Sequence, residues 1–304
     1  MSIMEKLFKP PEPVGFIGLG NMGMPMASLL AGAGYELVVA DASPAALERF
    51  AASVPCDQPD TLRKLGEQCR VVITMLPDGH AVRQVLMDED GVASALQPDS
   101  VVIDMSSSSP VGTRDLAAEL AERQIRLVDA PVSGGVRRAV DGTLAIMTGG
   151  DPDVIESVRG IVEAMGNIHH AGVQGCGHAM KALNNYLSAG TLTLTAEAIL
   201  AGTRFGLDAK TMLDILNVST GRSNTTEYKY PTFILPGSFN SGFATGLMAK
   251  DLRLALDVAV AAGSPSTLLR ELSGVWDAAE QQLGPTADHT EVVKYLESLV
   301  EKQS

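Results

Sequence analysis

The sequence predicts an α/β protein in which an N-terminal, doubly wound parallel sheet is followed by an all-helical domain. Its 304 residues are enough for two domains. Short apolar runs alternate with helix-like segments over residues 14–175, the pattern of right-handed βαβ crossovers in a parallel sheet. The alternation then stops. Residues 178–201 contain one glycine and no proline, which predicts a long helix.

Turn residues and apolar runs place each element of the alternating segment. A strand at 14–19 ends in glycines, which indicates a tight turn. A second strand ends at Asp41, and Ser43-Pro44 then begins a helix, because serine caps a helix and proline fits its first turn. The same signals predict strands at 37–40, 71–76, 101–104, 127–129 and 144–148, and helices at 22–33, 80–87 and 113–123.

The C-terminal part is predicted to consist of helices joined by short breaks. The change of pattern sets the predicted boundaries: an N-terminal extension 1–13, a Rossmann-type dinucleotide-binding domain 14–175, and a helical domain 176–304. The predicted helices of the last domain cover 178–205, 208–218, 247–262, 266–282 and 290–301.

Composition excludes several classes of partner. A formal net charge of −13 repels nucleic acid and anionic membrane surfaces. The three cysteines form no CxxC pair, which indicates a reducing compartment. The sequence has neither a secretory signal nor an apolar run of the ~18–20 residues that a membrane span needs, so a cytoplasmic protein is expected. His169-His170 lacks accompanying ligands, so no metal site is predicted.

A glycine-rich loop between the first strand and the first helix predicts dinucleotide binding. Its glycines allow a tight turn and bring backbone N–H groups close to a pyrophosphate, which the helix N-terminus also attracts. A plain strand–helix turn is the alternative, but the predicted strand and helix on either side favour the dinucleotide. The loop reads Gly18-Leu19-Gly20-Asn21-Met22-Gly23.

Asp41 favours NAD over NADP. A carboxylate at the end of the second strand accepts hydrogen bonds from the adenosine ribose hydroxyls and repels a 2′-phosphate. No basic residue follows Asp41 until Arg49. The sequence therefore predicts NAD as the cofactor.

Three further loops follow predicted strands, whose carboxyl ends border the ligand site of an open α/β sheet. Two of them contain Leu76-Pro77 and Ser107, and a serine at this edge is predicted to contact the ribose or nicotinamide unless it is an ordinary loop serine. The third, Ser133-Gly134-Gly135, offers a hydroxyl and exposed backbone N–H groups. These suit a carboxylate, although such glycines also form simple turns.

Lys181 is the candidate for acid/base chemistry. Its apolar neighbours indicate a largely buried helix, where a lone lysine needs a function. Asn185 lies at i+4 on the same helix face and Asn184 lies close by, so an amide oxygen can hold the ammonium. A solvated surface lysine is the alternative.

Four motifs together resemble the β-hydroxyacid dehydrogenase family. They occur in family order and span residues 14–255. The family includes 3-hydroxyisobutyrate dehydrogenases and reductases of tartronate, glyoxylate and succinic semialdehydes. The motifs are the segment from Gly15 to Ala27, the Asp129–Gly135 loop, Gly175-x-Gly177-x-x-x-Lys181-x-x-Asn184-Asn185, and Lys250-Asp251-Leu252.

The resemblance implies an NAD-dependent enzyme that transfers a hydride between NAD and the 3-hydroxyl (or semialdehyde) carbon of a short β-hydroxy acid, such as 3-hydroxyisobutyrate. Lys181 is implied to be the general acid/base and Asn185 to orient it. A homodimer or homotetramer is implied through the helical domain, which also contributes to the substrate site. The implied substrate residues are Ser133, Gly134, Gly135, Asn184 and Phe243, and the implied cofactor residues include Leu76, Pro77, Ser107 and Lys250, with Asp251 supporting Lys250.

Two other functions remain open at this point. A semialdehyde reductase of the same family fits the same motifs. An NAD-binding regulator without turnover is a different class, and we expect such a protein to lack the complete Ser-Gly-Gly and Lys/Asn set. The segment from Gly221 to Glu227 departs from what a strict 3-hydroxyisobutyrate enzyme is expected to have.

Overall fold

The computed structural model describes residues 7–301 and confirms the predicted fold class. Residues 1–6 of the predicted N-terminal extension, and residues 302–304, lie outside the described part. The chain divides into two compact units, unit 1 (Met1–Lys181) and unit 2 (Ala182–Ser304). No helix among residues 7–301 is long and apolar enough to cross a membrane.

Unit 1 is built on an eight-stranded sheet whose first five strands in space are parallel. Most residues of these strands are buried, as expected for a parallel sheet covered by helices on both faces. The spatial order is β2-β1-β3-β4-β5-β7-β6, with β8 beside β7. The strands are β1 (Pro13–Ile17), β2 (Glu36–Ala40), β3 (Val71–Thr74), β4 (Val101–Asp104), β5 (Arg126–Asp129), β6 (Val132–Ser133), β7 (Leu144–Gly149) and β8 (Gly166–Gly172).

The far edge of the sheet departs from the parallel pattern. Strand β7 pairs antiparallel with both β5 and β6, while β8 runs parallel to β7. The antiparallel pairing follows from the very short β6, because the chain turns back through one short helix rather than a full crossover. The parallel pairing predicted for the strand at 144–148 is therefore present with β8 only.

Eight helices cover the sheet of unit 1 within its described residues. Most begin at a side-chain cap, such as Ser43, whose hydroxyl accepts a hydrogen bond from the N–H of Ala46. The helix at 62–68 was not predicted, because its seven residues bury only Leu65 and Gly66 and give no apolar stripe. The first seven are α1 (Gly23–Gly32), α2 (Pro44–Ala51), α3 (Leu62–Gln68), α4 (Gly79–Met87), α5 (Pro110–Glu122), α6 (Gly135–Val140) and α7 (Pro152–Ser157), followed by α8 (Arg159–Glu163).

The long helix α9 (Cys176–Phe205) begins in unit 1 and continues into unit 2, as its sequence predicts. The described residues of unit 2 form helices and the loops between them, and the core surrounds Trp276, whose indole N–H donates to the hydroxyl of Thr193 at 3.1 Å. The other helices are α10 (Ala209–Asn217), α11 (Thr245–Ala261), α12 (Thr267–Leu283) and α13 (Val292–Glu301).

Unit 2 also contains a π-helical segment, Thr225–Ile234, which the sequence did not predict. The N–H of Leu235 donates to the carbonyl of Tyr230 at 2.9 Å, five residues earlier. Pro231 lies inside the segment and has no N–H to donate, so the regular α-helical ladder is interrupted there. Because proline is disfavoured inside helices, the sequence of this segment did not indicate a helix.

Candidate active site

The glycine loop after β1 is a tight turn that only glycine permits at two positions. Gly18 has a φ of +103°, and a Cβ at this residue would overlap the carbonyl oxygen of Met75. A Cβ at Gly23 would overlap the carbonyl oxygen of Gly18. Packing against the residue after β3 therefore requires Gly18, and the close approach of the chain to itself within the turn requires Gly23.

Gly20 differs, because a Cβ there would meet no atom within 4 Å. Packing inside the protein therefore does not explain this glycine. The adjacent N-terminus of α1 has no side-chain cap and no acidic residue in its first turn, so the helix dipole there favours an anion, while the N–H of Met24 donates to the carbonyl of Gly20 at 3.1 Å. These features fit a dinucleotide pyrophosphate, with Asn21 exposed and Met22 half-buried at the same turn.

Asp41 is held beside this loop by two backbone amides. The N–H of Leu19 donates to its Oδ2 at 2.6 Å, and the N–H of Ser43 donates to its Oδ1 at 2.7 Å. Both bonds fix the carboxylate at the carboxyl end of β2, directly next to the glycine turn. Each oxygen retains a lone pair, which fits the ribose hydroxyls expected there.

The loops after β3 and β4 are tied together at the same edge of the sheet. The N–H of Leu76 donates to the Oγ of Ser106 at 2.9 Å. Ser106 is fully buried, whereas Ser107 is half-buried and Pro77 is exposed. Within the loops that the sequence singled out, Ser106 is therefore the buried, structural serine, and Ser107 is the more accessible one.

The Ser133 loop presents its glycines in backbone conformations that other residues avoid. Gly134 has a φ of +137° and Gly135 a φ of +69°. A Cβ at Gly135 would meet nothing within 4 Å, so this side of the loop is open. The Ser133 hydroxyl is half-buried and makes no hydrogen bond within the described part of the chain. A free hydroxyl beside an open glycine suits an anionic ligand.

Two buried carboxylates stand behind these loops, with His178 between them. Asp104 Oδ2 lies 3.6 Å from His178 Nε2, and Asp129 Oδ2 lies 4.0 Å from His178 Nδ1. The imidazole bonds to the hydroxyl of Thr113 at 2.8 Å through Nδ1 and to the carbonyl oxygen of Ser106 at 3.1 Å through Nε2. Because a carbonyl only accepts, Nε2 carries a hydrogen. His178 therefore links the loop after β4 to the beginning of α9.

Asp129 fixes the start of α9 through three hydrogen bonds. Its oxygens accept from Gln174 Nε2 at 2.9 Å, from the N–H of Gly175 at 2.8 Å and from the N–H of His178 at 2.9 Å. The carboxylate is completely buried. Sequence reasoning assigned Asp129 no role beyond its place in a motif, although an acid at the end of a buried strand is itself a signal.

Helix α9 carries the three residues predicted for catalysis and substrate binding. Lys181 and Asn184 are half-buried and Asn185 is buried, and the helical spacing places Lys181 and Asn185 on one side of the helix. Asn184 donates from its amide to Asn185 Oδ1 at 3.1 Å. The side-chain oxygen of Asn185 thus accepts a hydrogen bond from Asn184, and the side-chain N–H groups of Asn185 can donate to another residue.

Asp251 is the partner that holds Asn185 in unit 2. The amide of Asn185 donates to Asp251 Oδ2 at 2.5 Å. Asp251 is buried, and its other oxygen has no hydrogen bond within the described residues. The sequence expected Asp251 to support Lys250, which is half-buried on the same helix. The contact with Asn185 is a role of Asp251 that the sequence did not predict and that only the folded helices reveal.

Phe243, the remaining substrate candidate, lies just before α11 and packs edge-on against His289, with ring centroids 5.6 Å apart. Its carbonyl accepts from the backbone N–H of His289 at 2.8 Å and lies 3.2 Å from the ring Nδ1. The site residues therefore fall into two groups, one at the strand ends of unit 1 and one on the helices of unit 2. Among the described residues, no cluster of His, Cys, Asp and Glu has the arrangement of a metal site.

Comparison with known families covers nearly the whole chain. Residues 13–177 match the family described as the NAD binding domain of 6-phosphogluconate dehydrogenase. Residues 175–296 match the family described as NAD-binding of NADP-dependent 3-hydroxyisobutyrate dehydrogenase. Both halves thus match families of dinucleotide-dependent dehydrogenases, and the chain binds a nicotinamide dinucleotide.

Individual relatives of the chain are hydroxy-acid dehydrogenases as well. The chain is 36% identical to the 2-(hydroxymethyl)glutarate dehydrogenase of Eubacterium barkeri, over 97% of both chains. It is 38% identical to the NAD-dependent L-serine dehydrogenase of Pseudomonas aeruginosa, over 84% of this chain and 88% of the relative. The 3-hydroxyisobutyrate dehydrogenase of Mycobacterium tuberculosis, solved with L-serine, superposes with a TM-score of 0.87 at 33% identity, over 94% of this chain and 99% of that structure.

Proposed function

This chain belongs to the β-hydroxyacid dehydrogenase family, and we propose that it oxidises the primary hydroxyl of a 2-substituted 3-hydroxypropanoate with NAD. The compounds in the relatives' names support this substrate class. L-serine, 3-hydroxyisobutyrate and 2-(hydroxymethyl)glutarate each contain a carboxylate, a neighbouring C2 and a CH₂OH group on that C2. They differ only in the second substituent on C2, which is an ammonium, a methyl or a carboxyethyl group.

One observation carries the proposal: the beginning of α9 is fixed from both sides of Lys181. Asp129 holds the first turn of the helix through the amides of Gly175 and His178. Four residues after Lys181, the amide of Asn185 is held by the buried Asp251. A lysine between two such anchors is restricted in position, which acid/base catalysis requires.

Each residue has a defined task in the proposed reaction. Ser133 and the N–H groups of Gly134 and Gly135 bind the substrate carboxylate, and Asn184 bonds to the hydroxyl. The unprotonated amine of Lys181 takes the hydroxyl proton while the carbinol C–H bond breaks, and the C–O bond becomes a carbonyl. NAD, when bound, accepts the hydride at its nicotinamide ring. In the reverse direction the ammonium of Lys181 returns the proton to the developing alkoxide.

The cofactor tasks belong to unit 1, with Lys250 as the one contribution from unit 2. The Gly18–Gly23 turn binds the pyrophosphate, Asp41 binds the ribose hydroxyls, and the loops of Leu76-Pro77 and Ser107 contact the nicotinamide half. Residues 14–175 thus form the NAD-binding domain, and residues 176–304 supply substrate and subunit contacts.

The test is a panel of 2-substituted 3-hydroxypropanoates with NAD and NADP, followed at the nicotinamide absorbance. In Lys181→Ala we expect kcat to fall about 1,000-fold, because one positioned acid/base group contributes 10²–10⁴-fold. NAD affinity should change little. Lys64→Ala, at an exposed lysine of unit 1 paired with Asp60, is the control. Full turnover in Lys181→Ala, or none in the wild type, contradicts the proposal.

Assembly and location belong to the same proposal. We propose a cytoplasmic homodimer or homotetramer joined through unit 2. Large apolar side chains on and after α9 support it: Leu194 is 67% exposed and Phe205 is 89% exposed. We expect light scattering to give at least a dimer, and Leu194→Lys to shift it toward the monomer. A monomeric wild type contradicts this part alone.

A further inference from the structure

The proposed function leaves the second C2 substituent of the substrate undefined, and a buried lysine of unit 2 bears on it. Lys229 lies in the π-helical segment and is only 9% exposed. Its Nζ donates to the Oγ of Ser188 on α9 at 2.8 Å. Lysine is almost never buried without a partner of opposite charge.

No carboxylate forms an ion pair with Lys229 anywhere in the described part of the chain. The acid whose charge acts on Lys229, Asp288, is already bound by the hydroxyl of Thr290, the hydroxyl of Ser241 and the N–H of Gly242. Burial lowers the pKa of Lys229 to about 8, and the Asp288 charge offsets this only in part. At neutral pH Lys229 is therefore a mostly protonated, buried cation, and its hydrogen-bond partner among residues 7–301 is the neutral hydroxyl of Ser188.

Two observations relate Lys229 to the substrate candidates of unit 2. Its partner Ser188 follows Asn184 by one helical turn, about 6 Å along α9 at ~1.5 Å per residue. The charge of Lys229 also acts on His289, whose pKa is lowered to about 4, first by burial and then by that charge. The ring of His289 packs on Phe243. Lys229 is thus bonded to α9 one turn from Asn184, and its charge acts on the residue that packs against Phe243.

We infer that Lys229, with the hydroxyl of Ser188, is a subsite for a second anionic group on the substrate, a carboxylate or sulfonate at the end of the C2 substituent. The inference rests on the proposed function, which places the carbinol group at Asn184. An anion about four bonds from the carbinol carbon, roughly 5 Å away, matches the spacing of Asn184 and Ser188.

The π-helical geometry supports a functional reason for Lys229. Single-turn π-bulges persist mostly at functional sites, and this segment spans ten residues, Thr225–Ile234. It is fixed to α9 by a second contact, between the hydroxyls of Thr225 and Thr191 at 3.3 Å. A distorted helix, tied to α9 at two places, presents a cation that a regular helix would place elsewhere. An anionic substrate group then neutralises that cation on binding.

The decisive experiment compares two acids that differ at one group. The dianion is 2-(hydroxymethyl)glutarate, and the matched monoanion is 2-(hydroxymethyl)pentanoate, which has a methyl in place of the distal carboxylate. The quantity measured is the ratio of their kcat/KM values with NAD. In Lys229→Met we expect this ratio to fall about 100-fold, because the buried carboxylate loses its charged partner. Lys229→Arg should restore much of it.

A matched control separates this effect from a general loss of positive charge. Lys210→Met removes a lysine of the same unit that is exposed and paired with Asp214. We expect the ratio to be unchanged in this variant. A ratio in Lys229→Met within threefold of the wild type, with NAD binding intact, overturns the inference. A sulfonate analogue of the dianion shows whether the subsite also accepts that group.

Two further measurements test the inference if Lys229→Met does not fold or if neither acid is turned over. If Lys229→Met does not fold, the wild-type ratio is measured from pH 7 to 10, and it should fall as Lys229 loses its proton. Asp288 stays charged and His289 stays neutral over this range, and Lys181 acts on both acids equally. If neither acid is turned over, the proposed function fails. The subsite is then tested by the Tm increase that glutarate causes, which should be larger in the wild type than in Lys229→Met.

Discussion

The candidate site residues of unit 1 and those of unit 2 are of different kinds. Unit 1 uses backbone: glycine turns and loop amides at the carboxyl ends of parallel strands, as at Gly18 and Leu19. Unit 2 uses side chains on helices, joined across long stretches of sequence. Asn185 and Asp251 are 66 residues apart, and Ser188 and Lys229 are 41 residues apart.

This difference between backbone and side-chain sites indicates which residues determine cofactor specificity and which determine substrate specificity. A backbone site depends on a few glycines and recognises a ligand common to many enzymes, the dinucleotide. A side-chain site changes with single substitutions and can select one C2 substituent over another. We therefore expect substitutions in the glycine turn of unit 1 to affect folding and NAD binding, and substitutions on the helices of unit 2 to affect the choice of acid.

The largest expected effect is at Gly18. Gly18→Ala places a methyl against the carbonyl of Met75 at a φ of +103°, so we expect a loss of about 3–5 kcal/mol in the free energy of unfolding. Gly20→Ala, with open space around the Cβ, should cost less than ~0.5 kcal/mol but weaken NAD binding at least tenfold. Urea denaturation and NAD titration measure both. Equal stability losses in the two variants contradict the comparison.

Asp129→Asn is expected to have the next largest effect. An amide cannot accept all the hydrogen bonds that the carboxylate receives from Gln174, Gly175 and His178. We expect a loss of about 2–3 kcal/mol in the free energy of unfolding, together with a lower kcat, because the helix turn before Lys181 is released. Asp115→Asn, an exposed acid on α5, is the control. A change below ~0.5 kcal/mol removes Asp129 as the anchor of α9.

Asp41→Asn tests cofactor choice in unit 1. The amide keeps one acceptor but loses the charge that repels a 2′-phosphate, so the NAD-to-NADP ratio of kcat/KM should fall about 30-fold. Glu36→Gln, at the opposite end of β2, should leave the ratio unchanged. An unchanged ratio in Asp41→Asn means that another residue selects the cofactor.

The smallest expected effect is a gain in stability rather than a loss. Lys229→Met removes a buried cation, so we expect the free energy of unfolding to rise by about 1 kcal/mol at pH 7. A pKa lowered from 10.5 to about 8 corresponds to ~3 kcal/mol at most, and the lost Ser188 bond offsets part of it.

The pH dependence follows from the lowered pKa. The folded state disfavours the charged amine, so the cost of Lys229 is complete below pH 8 and disappears as pH rises from 8 to above 10.5. The stability advantage of Lys229→Met over the wild type should therefore be constant below pH 8, shrink above it, and reverse once the cost of Lys229 has fallen below the contribution of the Ser188 bond. Lys210→Met should show no gap of this kind. A variant less stable than wild type at pH 7 shows that Lys229 stabilises the fold.

Much of unit 1 could be predicted because its signals are local. The strand at 101–104 was predicted to the residue, and the helix beginning at Pro44 follows from Ser43 and proline chemistry alone. The glycine turn, Asp41 and the two following loops were placed at one edge because parallel strands end together. The antiparallel β7 was not predicted, since strand direction depends on pairing partners distant in sequence.

The sequence by itself determined the fold class, the dinucleotide turn and the helix that carries Lys181. These depend on apolar periodicity, on backbone conformations open only to glycine, and on residues within one helical turn of each other. Only the tertiary structure decided that Asp129 anchors α9, that Asp251 holds Asn185, and that Lys229 is buried against Ser188. Those contacts join residues 41 to 66 positions apart, and whether a charge is buried depends on helices that meet only in the folded chain.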